Sequence, residues 1–210
     1  MLRIVATADR LSAQTNTENE SMMAQSRFKQ TLVFSLLVTC LIWVPVVSAQ
    51  SEKRVRGIKG QKAPSWEVES WHQLPEGQNS LNVSDYKDKV LYLYFFQSWC
   101  PGCHKSGFPS LKKVSEKYKD DSSVKFVVIQ TTFEGHGVNT VEKLKPTAAK
   151  YDLTMPFGQS KGSSGSPDIM KKYRSGGTPW VVIIDKSGVV RFNDFHISPE
   201  NAGRLIDSLK

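Results

Sequence analysis

Every one of the seven residues from Val90 to Phe96 is apolar or aromatic. A strand with one face in water would alternate apolar and polar residues, so an unbroken run is typical of a strand that is covered on both faces. Such a strand lies inside a sheet and has other elements packed above and below it. This run therefore favours a domain of the α/β class that is built around a central sheet.

Strand and helix patterns alternate along the rest of the chain. The predicted elements are the strand Val90–Phe96, a helix over Pro101–Lys119, a strand over Val124–Gln130, a helix over Thr140–Tyr151, strands over Trp180–Asp185 and Val189–Asn193, and a helix that begins after Ser198. A short turn with Gly188 joins the last two strands into a hairpin. Gln159–Ser166 is predicted to be a low-complexity loop and Pro167–Tyr173 a short extra helix. This order predicts parallel crossovers followed by an antiparallel hairpin, and hence a mixed sheet flanked by helices.

Two of the three cysteines follow the apolar strand, in the sequence Trp99-Cys100-Pro101-Gly102-Cys103. They lie where the strand ends and a helix begins, and the unpaired N–H groups and dipole of a helix start favour a thiolate. Pro101 suits the first helical turn because it has no N–H to satisfy. Cys100 is predicted to be the exposed nucleophile, and Cys103, one turn further along, the thiol that resolves a mixed disulfide.

Other interpretations of the cysteine pair stay open. Cys100-Pro101-Gly102-Cys103-His104 also matches the pattern for covalent attachment of a c-type haem. A structural disulfide or half of a zinc site fits as well, although a tetrahedral zinc needs four ligands. The remaining histidines, which are too dispersed to be nominated as ligands, are His72, His136 and His196. The motif favours a dithiol redox centre that uses neither a cofactor nor a metal.

An uncharged apolar segment, residues 31–47, follows Arg27 and Lys29 near the start of the chain. Small residues in Val47-Ser48-Ala49 occupy the positions that a signal peptidase reads, so we expect a signal peptide that is cleaved after Ala49. The alternative is an uncleaved membrane anchor, because about 20 apolar residues span a bilayer. Cys40 is interpreted as an apolar residue of this segment.

Export would divide the chain into three parts and place its cysteine pair in an oxidising compartment. Residues 1–49 are expected to be an N-terminal extension with the signal peptide or anchor, residues 50–64 a basic flexible linker, and residues 65–210 the α/β domain. Membrane contact is expected only through residues 31–47, if they stay uncleaved. The 28 Lys and Arg and 20 Asp and Glu, a net charge of +8, are scattered along the chain, so nucleic acid is not a predicted partner.

A second motif, Gly177-Thr178-Pro179, precedes the apolar run from Trp180. Pro179 cannot donate a hydrogen bond within a sheet, so it is predicted at the start of that strand. Three further features accompany this motif: Tyr-Phe-Phe-Gln-Ser before the Trp-Cys-Pro-Gly-Cys motif, Pro109 in the helix and Ser187-Gly188-Val-Val downstream. Through these features residues 65–210 resemble the thioredoxin-like proteins. Within that group the chain is most similar to the exported thiol-disulfide oxidoreductases of the TlpA/ResA type.

The resemblance implies a thioredoxin-like fold with the Cys-x-x-Cys motif at a helix N-terminus and a cis Thr178–Pro179 bond facing the two cysteines. The backbone of Thr178 would hold an extended substrate segment beside Cys100, and Trp99 would shield the pair. The substrate-binding residues implied in this way are Trp99, Pro101, Gly102, Thr178 and Pro179. Phe95, Trp180 and the segment around Gly135 are expected to shape the docking groove.

The function implied by the resemblance is reduction of protein disulfides, with recharging by a membrane electron donor. The bacterial periplasm or the outer face of the cytoplasmic membrane would be its location. Cytochrome c maturation, in which haem-site cysteines must be kept reduced, is one task that this implies. The alternatives are a c-type haem-carrying module and a thiol peroxidase related to the peroxiredoxins. The Thr-x-x-Cys context of the peroxiredoxins is absent, because Gln97 stands three residues before Cys100.

Two positions depart from the thioredoxin pattern. Thioredoxins carry a buried Asp six residues before the first cysteine, which serves proton transfer to the second, and this chain has Tyr94 there. The candidates for that proton transfer are a tyrosine hydroxyl, Glu134 and water. Pro101-Gly102 reverses the Gly-Pro of thioredoxins, a dipeptide that tunes the reduction potential, so the direction of electron flow is open. The segment Phe133–Gly137 is interpreted as a surface turn rather than a site.

Overall fold

The computed structural model describes residues 56–162 and 165–210. Its six strands are β1 (Val68–His72), β2 (Val90–Phe96), β3 (Val124–Gln130), β4 (Phe157–Ser160), β5 (Trp180–Ile184) and β6 (Val190–Asp194). The α-helices in this part of the chain are α1 (Phe108–Lys117), α2 (Leu144–Lys150), α3 (Asp168–Lys172) and α4 (Pro199–Leu209). None of its helices is long and apolar enough to cross a membrane. The signal peptide or anchor expected within residues 1–49 lies outside the described residues.

The strands form one mixed sheet in the order β1-β4-β3-β2-β5-β6. The inner strands β2, β3 and β4 run parallel to one another, whereas β5 is antiparallel to β2 and forms a hairpin with β6. At the opposite edge β1 is antiparallel to β4. The sheet therefore has the parallel crossovers and the C-terminal hairpin that the element order predicts.

Strand β2 lies inside the sheet, and none of its seven residues is more than 1% exposed. Tyr92, Tyr94 and Phe96 pack into one hydrophobic core with residues of α1, α2 and α4. The alternate residues Leu91, Leu93 and Phe95 pack into a second core on the other face, with α3. Burial of a side chain of this size contributes roughly 1.5–3 kcal/mol, so both layers stabilise this strand and fix the position at which it ends.

Most of the predicted elements are confirmed. β2 and β3 have the predicted bounds, and the hairpin strands differ from prediction by one residue. The predicted helix over 140–151 is present as a 3-10 turn, Val141–Lys143, followed by α2. Pro146 is the third residue of α2, where its missing N–H costs no helical hydrogen bond. Ser198 caps α4 by accepting a hydrogen bond from the Asn201 N–H at 3.2 Å.

The edge strands β1 and β4 have no counterpart among the predicted elements. The prediction of a loop over Gln159–Ser166 is wrong at its first two residues, which belong to β4. β4 is short and ends in polar residues, so its sequence lacks a strand pattern. The side chain of Gln159 is satisfied by residues from other parts of the chain. The Gln130 side chain donates to Gln159 Oε1 at 2.6 Å, and Gln159 donates in turn to the Thr132 hydroxyl at 2.9 Å.

The linker predicted for residues 50–64 is wrong for its last part. Ile58 is only 4% exposed and belongs to the second core. The Gly60 and Ala63 N–H groups donate to the carbonyls of Val190 and Gly188 at 2.8 and 2.9 Å. These bonds occupy backbone groups of the β5–β6 hairpin that would otherwise lack partners. The folded unit therefore includes residues 57–64, and the chain before residue 56 lies outside the described residues.

Candidate functional site

The cysteine pair lies at the start of a helix that follows β2. The chain turns after Phe96, with the Cys100 N–H donating to the Gln97 carbonyl at 3.1 Å, and is helical from Pro101 onwards. A π-helical turn, Cys103–Gly107, leads into α1, and the Phe108 N–H donates to the carbonyl of Cys103. The Cys-x-x-Cys motif therefore spans the first residues of this helical segment.

The two sulfur atoms are in contact. Cys103 Sγ lies 2.6 Å from Cys100 Sγ, and the Cys103 N–H donates to Cys100 Sγ at 3.2 Å. Cys100 is 7% exposed and Cys103 is fully buried. Cys100 is thus the more accessible thiol, but the prediction of an exposed nucleophile is wrong in degree. The Thr178 carbonyl, 3.5 Å from Cys100 Sγ, covers part of it.

The pKa values of the two thiols are shifted in opposite directions. The pKa of Cys100 falls to about 6, first because Cys103 donates a hydrogen bond to its thiolate, and further because the backbone N–H groups of Cys103 and Gly102 point at it. Burial raises the pKa of Cys103 far above its usual value, and its hydrogen bond to Cys100 raises it further. Near neutral pH the pair therefore holds one thiolate, on Cys100, and one thiol, on Cys103.

The second motif faces the cysteine pair. The Thr178–Pro179 peptide bond is cis and lies directly before β5. A Cβ placed on Gly102 would lie 3.3 Å from Pro179 Cδ, so the proline ring packs against the Cys-x-x-Cys turn. Pro101 and Gly102 are exposed, and Thr178 and Pro179 are partly exposed. The structure thus brings these four residues and both cysteines together.

Trp99 is beside the pair and 46% exposed. Gly135 lies close to it, since a Cβ on Gly135 would be 3.1 Å from the Trp99 indole nitrogen. Phe95 and Trp180 are both fully buried, in the core on the other face of the sheet. The expectation that these two residues shape the docking groove is wrong, because neither reaches the surface.

Tyr94 places its hydroxyl beside Cys103. The side chain is 1% exposed, and the hydroxyl packs against Gly107 and has no hydrogen-bond partner at ordinary distances among the described residues. Burial raises the pKa of Tyr94 well above its ordinary value, and the Cys103 sulfur raises it further. Tyr94 therefore stays protonated near neutral pH and is not the base for Cys103. Its O–H is instead a buried donor next to that sulfur.

The residues of the motif do not fit a c-type haem. The His104 ring is held in place, with Nε2 2.6 Å from the Ser98 carbonyl and Nδ1 2.7 Å from the Tyr151 hydroxyl. The Ser98 carbonyl can only accept a hydrogen bond, so Nε2 donates to it. Attachment of haem needs a histidine nitrogen free for the iron and two accessible thiols, whereas Cys103 is fully buried.

Two site residues have roles that the sequence did not indicate. The sequence distinguishes Gln97 only by the absence of a Thr-x-x-Cys context, yet its fully buried side chain accepts a hydrogen bond from the Trp99 indole N–H at 2.9 Å. Asn139, 2% exposed, donates to the same Gln97 oxygen at 2.9 Å. The sequence signal for Gln97 is its position, since it is a polar residue between an apolar strand and the cysteines. Nothing in the sequence marked Asn139.

The dithiol of this site lies at the start of a helix and faces an X-Pro bond, which precedes an antiparallel strand of a mixed sheet. This arrangement defines the thioredoxin-like class of proteins. Comparison with known families agrees with this assignment. The Redoxin family model matches residues 58–205, and the chain belongs to that family.

The relatives that this chain resembles include a thioredoxin-like protein and a thiol-disulfide oxidoreductase. The thioredoxin-like protein YneN of Bacillus subtilis is 27% identical over 148 residues, which cover 70% of this chain and 76% of the relative. The thiol-disulfide oxidoreductase ResA of Bacillus cereus is 24% identical over 168 residues, or 80% of this chain and 87% of ResA. The crystal structure of a thiol-disulfide isomerase from Corynebacterium glutamicum superposes with a TM-score of 0.60 at 30% identity, covering 70% of this chain and 96% of that one. The protein is a thioredoxin-like thiol-disulfide oxidoreductase.

Proposed function

We propose that the protein is an extracytoplasmic disulfide reductase that acts on protein substrates through Cys100 and Cys103. The observation that carries the proposal is the asymmetry of the two thiols. Cys100 is the partly accessible thiolate with a pKa of about 6, and Cys103 is a buried thiol whose sulfur lies 2.6 Å away. One group is ready to attack at neutral pH, and the other is held within reach for the second step.

The proposed reaction consists of two exchange steps. The Cys100 thiolate attacks one sulfur of a substrate disulfide, forms a mixed disulfide and releases the first substrate thiolate. Cys103 then loses its proton and attacks Cys100 Sγ, so that the Cys100–Cys103 disulfide forms and the second substrate thiolate leaves. Two electrons pass to the substrate, and the proton of Cys103 and one from solvent convert the released thiolates to thiols.

We propose that Tyr94 and Thr178 assist different steps. The Tyr94 O–H, buried beside Cys103, would donate to the Cys103 thiolate as it forms. The Thr178 backbone, beside Cys100 Sγ and ahead of β5, would pair with an extended substrate segment. Trp99, Pro101, Gly102 and Pro179 would border that segment.

The oxidised protein needs a reductant to act again, and we propose a membrane electron donor for this. Support comes from the uncharged segment 31–47, which follows basic residues and is typical of an export signal. A reductase in an oxidising compartment would suit proteins whose cysteines must stay reduced, such as the haem-site cysteines of cytochrome c. The periplasm or the outer face of the cytoplasmic membrane is the proposed location.

Reduction of insulin tests the proposal. We expect the reduced protein to transfer two electrons to an insulin disulfide per turnover, with loss of the thiols of Cys100 and Cys103, because the thiolate and the resolving thiol are both in place. Counting protein and insulin thiols after a single turnover measures the transfer. A Cys100→Ser variant is the control and should transfer none.

The same preparation separates the reductase from a thiol peroxidase. We expect reduced protein to consume hydrogen peroxide more slowly than it reduces insulin, since the Thr-x-x-Cys context is absent. Rapid peroxide consumption without insulin reduction would replace the proposed function by that of a peroxidase. A wild-type protein with no transfer to either oxidant would contradict both.

A further inference from the structure

Gln97 contacts three parts of the site, two through its side chain and one through its backbone. Its side-chain oxygen accepts the Trp99 indole N–H and an Asn139 side-chain N–H, each at 2.9 Å. Its backbone carbonyl accepts the Cys100 N–H at 3.1 Å. The residue is fully buried, so solvent does not compete for these bonds. The Gln97 side chain therefore links the exposed indole to Asn139, while the backbone of the same residue holds the turn that carries the nucleophile.

Asn139 extends this linkage to the loop 134–139. The side-chain N–H groups of Asn139 also donate to the carbonyls of Glu134 and Gly135 at 2.9 and 3.2 Å. Gly135 has a φ of +60° and comes so close to Trp99 that a Cβ would lie 3.1 Å from the indole nitrogen. The loop interpreted as a surface turn is thus fastened to the indole through two buried amides.

We infer that Gln97 is a positioning residue that fixes the Trp99 indole and the loop 134–139 as one rigid surface beside Cys100. The inference rests on the proposed function, because the role of this rigid surface is to orient a protein substrate. Trp99 is 46% exposed and has little packing to select one orientation. Holding its N–H on a buried acceptor removes that freedom before the substrate arrives, so that less entropy is lost on binding.

The side-chain nitrogen of Gln97 also argues against an amide whose only role is to stabilise the core. Its side-chain nitrogen has no partner among the described residues, although it is buried. A buried donor without a partner opposes folding, and an apolar side chain of the same length would avoid that cost. The amide at this position is therefore explained by what its oxygen holds rather than by the stability of the core.

A double-mutant cycle between Gln97 and Trp99 tests the inference. Gln97→Met keeps the length of the side chain and removes the acceptor, and Trp99→Phe removes the indole N–H. We expect either change to raise the KM for insulin about fivefold, the effect of one lost hydrogen bond, with kcat changed less. In the double variant the two effects are expected to be less than additive, because both changes remove the same indole hydrogen bond. Tyr173→Phe is the matched control, because it removes the buried acceptor of a different indole N–H, that of Trp66 at 3.0 Å, and it should leave KM unchanged.

A second readout does not depend on activity. Hydrogen exchange of the Trp99 indole N–H, followed by NMR, is expected to be about fivefold faster in Gln97→Met, the effect of one lost hydrogen bond, and unchanged in Tyr173→Phe. If Gln97→Met does not fold, Asn139→Ser removes the other donor to the same oxygen and should also speed the exchange. Unchanged exchange, or additive KM effects in the cycle, would overturn the inference. If the wild-type protein reduces no insulin but the indole N–H still exchanges faster in Gln97→Met than in the wild type, the proposed function is overturned and the positioning of Trp99 stays supported.

Discussion

In a Cys103→Ser variant, we expect Cys100 to remain joined to its substrates as mixed disulfides. The thiolate of Cys100 still forms and still attacks, because the backbone N–H groups of Gly102 and residue 103 remain to stabilise it. The second step fails, since a serine hydroxyl at the position of Cys103, whose sulfur lies 2.6 Å from Cys100 Sγ, does not displace a disulfide sulfur. Turnover of insulin should fall to the background level. Adducts on a non-reducing gel, identified by mass spectrometry, measure the trapped state.

The control for this experiment is the double variant Cys100→Ser, Cys103→Ser, which lacks the attacking thiolate and should give no adducts. Adducts that persist in the double variant would mean that another thiol had formed them. Absence of adducts from Cys103→Ser, in a protein whose Cys100 is still alkylated by iodoacetamide, would contradict the two-step exchange.

The pH profile of Cys100 alkylation is the second large effect that we expect. With a pKa of about 6 instead of its ordinary value of 9.0, Cys100 is deprotonated at neutral pH. The rate with iodoacetamide should rise through about pH 6 and level off by about pH 7, and at about pH 5 it should be about tenfold below the plateau. Cys103 should stay unmodified over this range, because burial raises its pKa. Mass spectrometry of the peptide that contains both cysteines distinguishes the two sites.

The cause of the shift is tested by Cys103→Ala. This change removes the S–H that donates to the Cys100 thiolate, the largest contribution to the lowered pKa, so the midpoint should move to higher pH. A wild-type midpoint near 9.0, or faster alkylation of Cys103 than of Cys100, would contradict the assignment of the nucleophile.

The sequence predicts the centre of the fold better than its edges. β2 is recognisable because all its residues contact apolar neighbours on two faces, and the cysteine motif follows from where that strand ends. β4 is not recognisable from the sequence, because the buried side chain of Gln159 is satisfied by Gln130 and Thr132 on other parts of the chain. The packing of Ile58 likewise depends on a core formed by distant residues.

The same distinction applies to the site. Cys100, Cys103 and Pro179 belong to motifs that a single segment displays. The connection from Trp99 through Gln97 to Asn139 spans 42 residues between the two amides and exists only because the loop after β3 returns to the end of β2. The properties of Tyr94 likewise depend on its burial beside Cys103, which the apolar pattern of β2 does not specify.

The most direct test of the central claim is the reduction potential of the Cys100–Cys103 couple. The protein is equilibrated in thiol buffers of graded potential, quenched by alkylation, and the peptide that carries both cysteines is quantified by mass spectrometry. A reductase predicts a single two-electron transition at or below about −220 mV, in the range of thioredoxin and the glutaredoxins. A transition near about −120 mV would identify a disulfide-forming oxidant, and failure of the pair to titrate would contradict a redox function of the site.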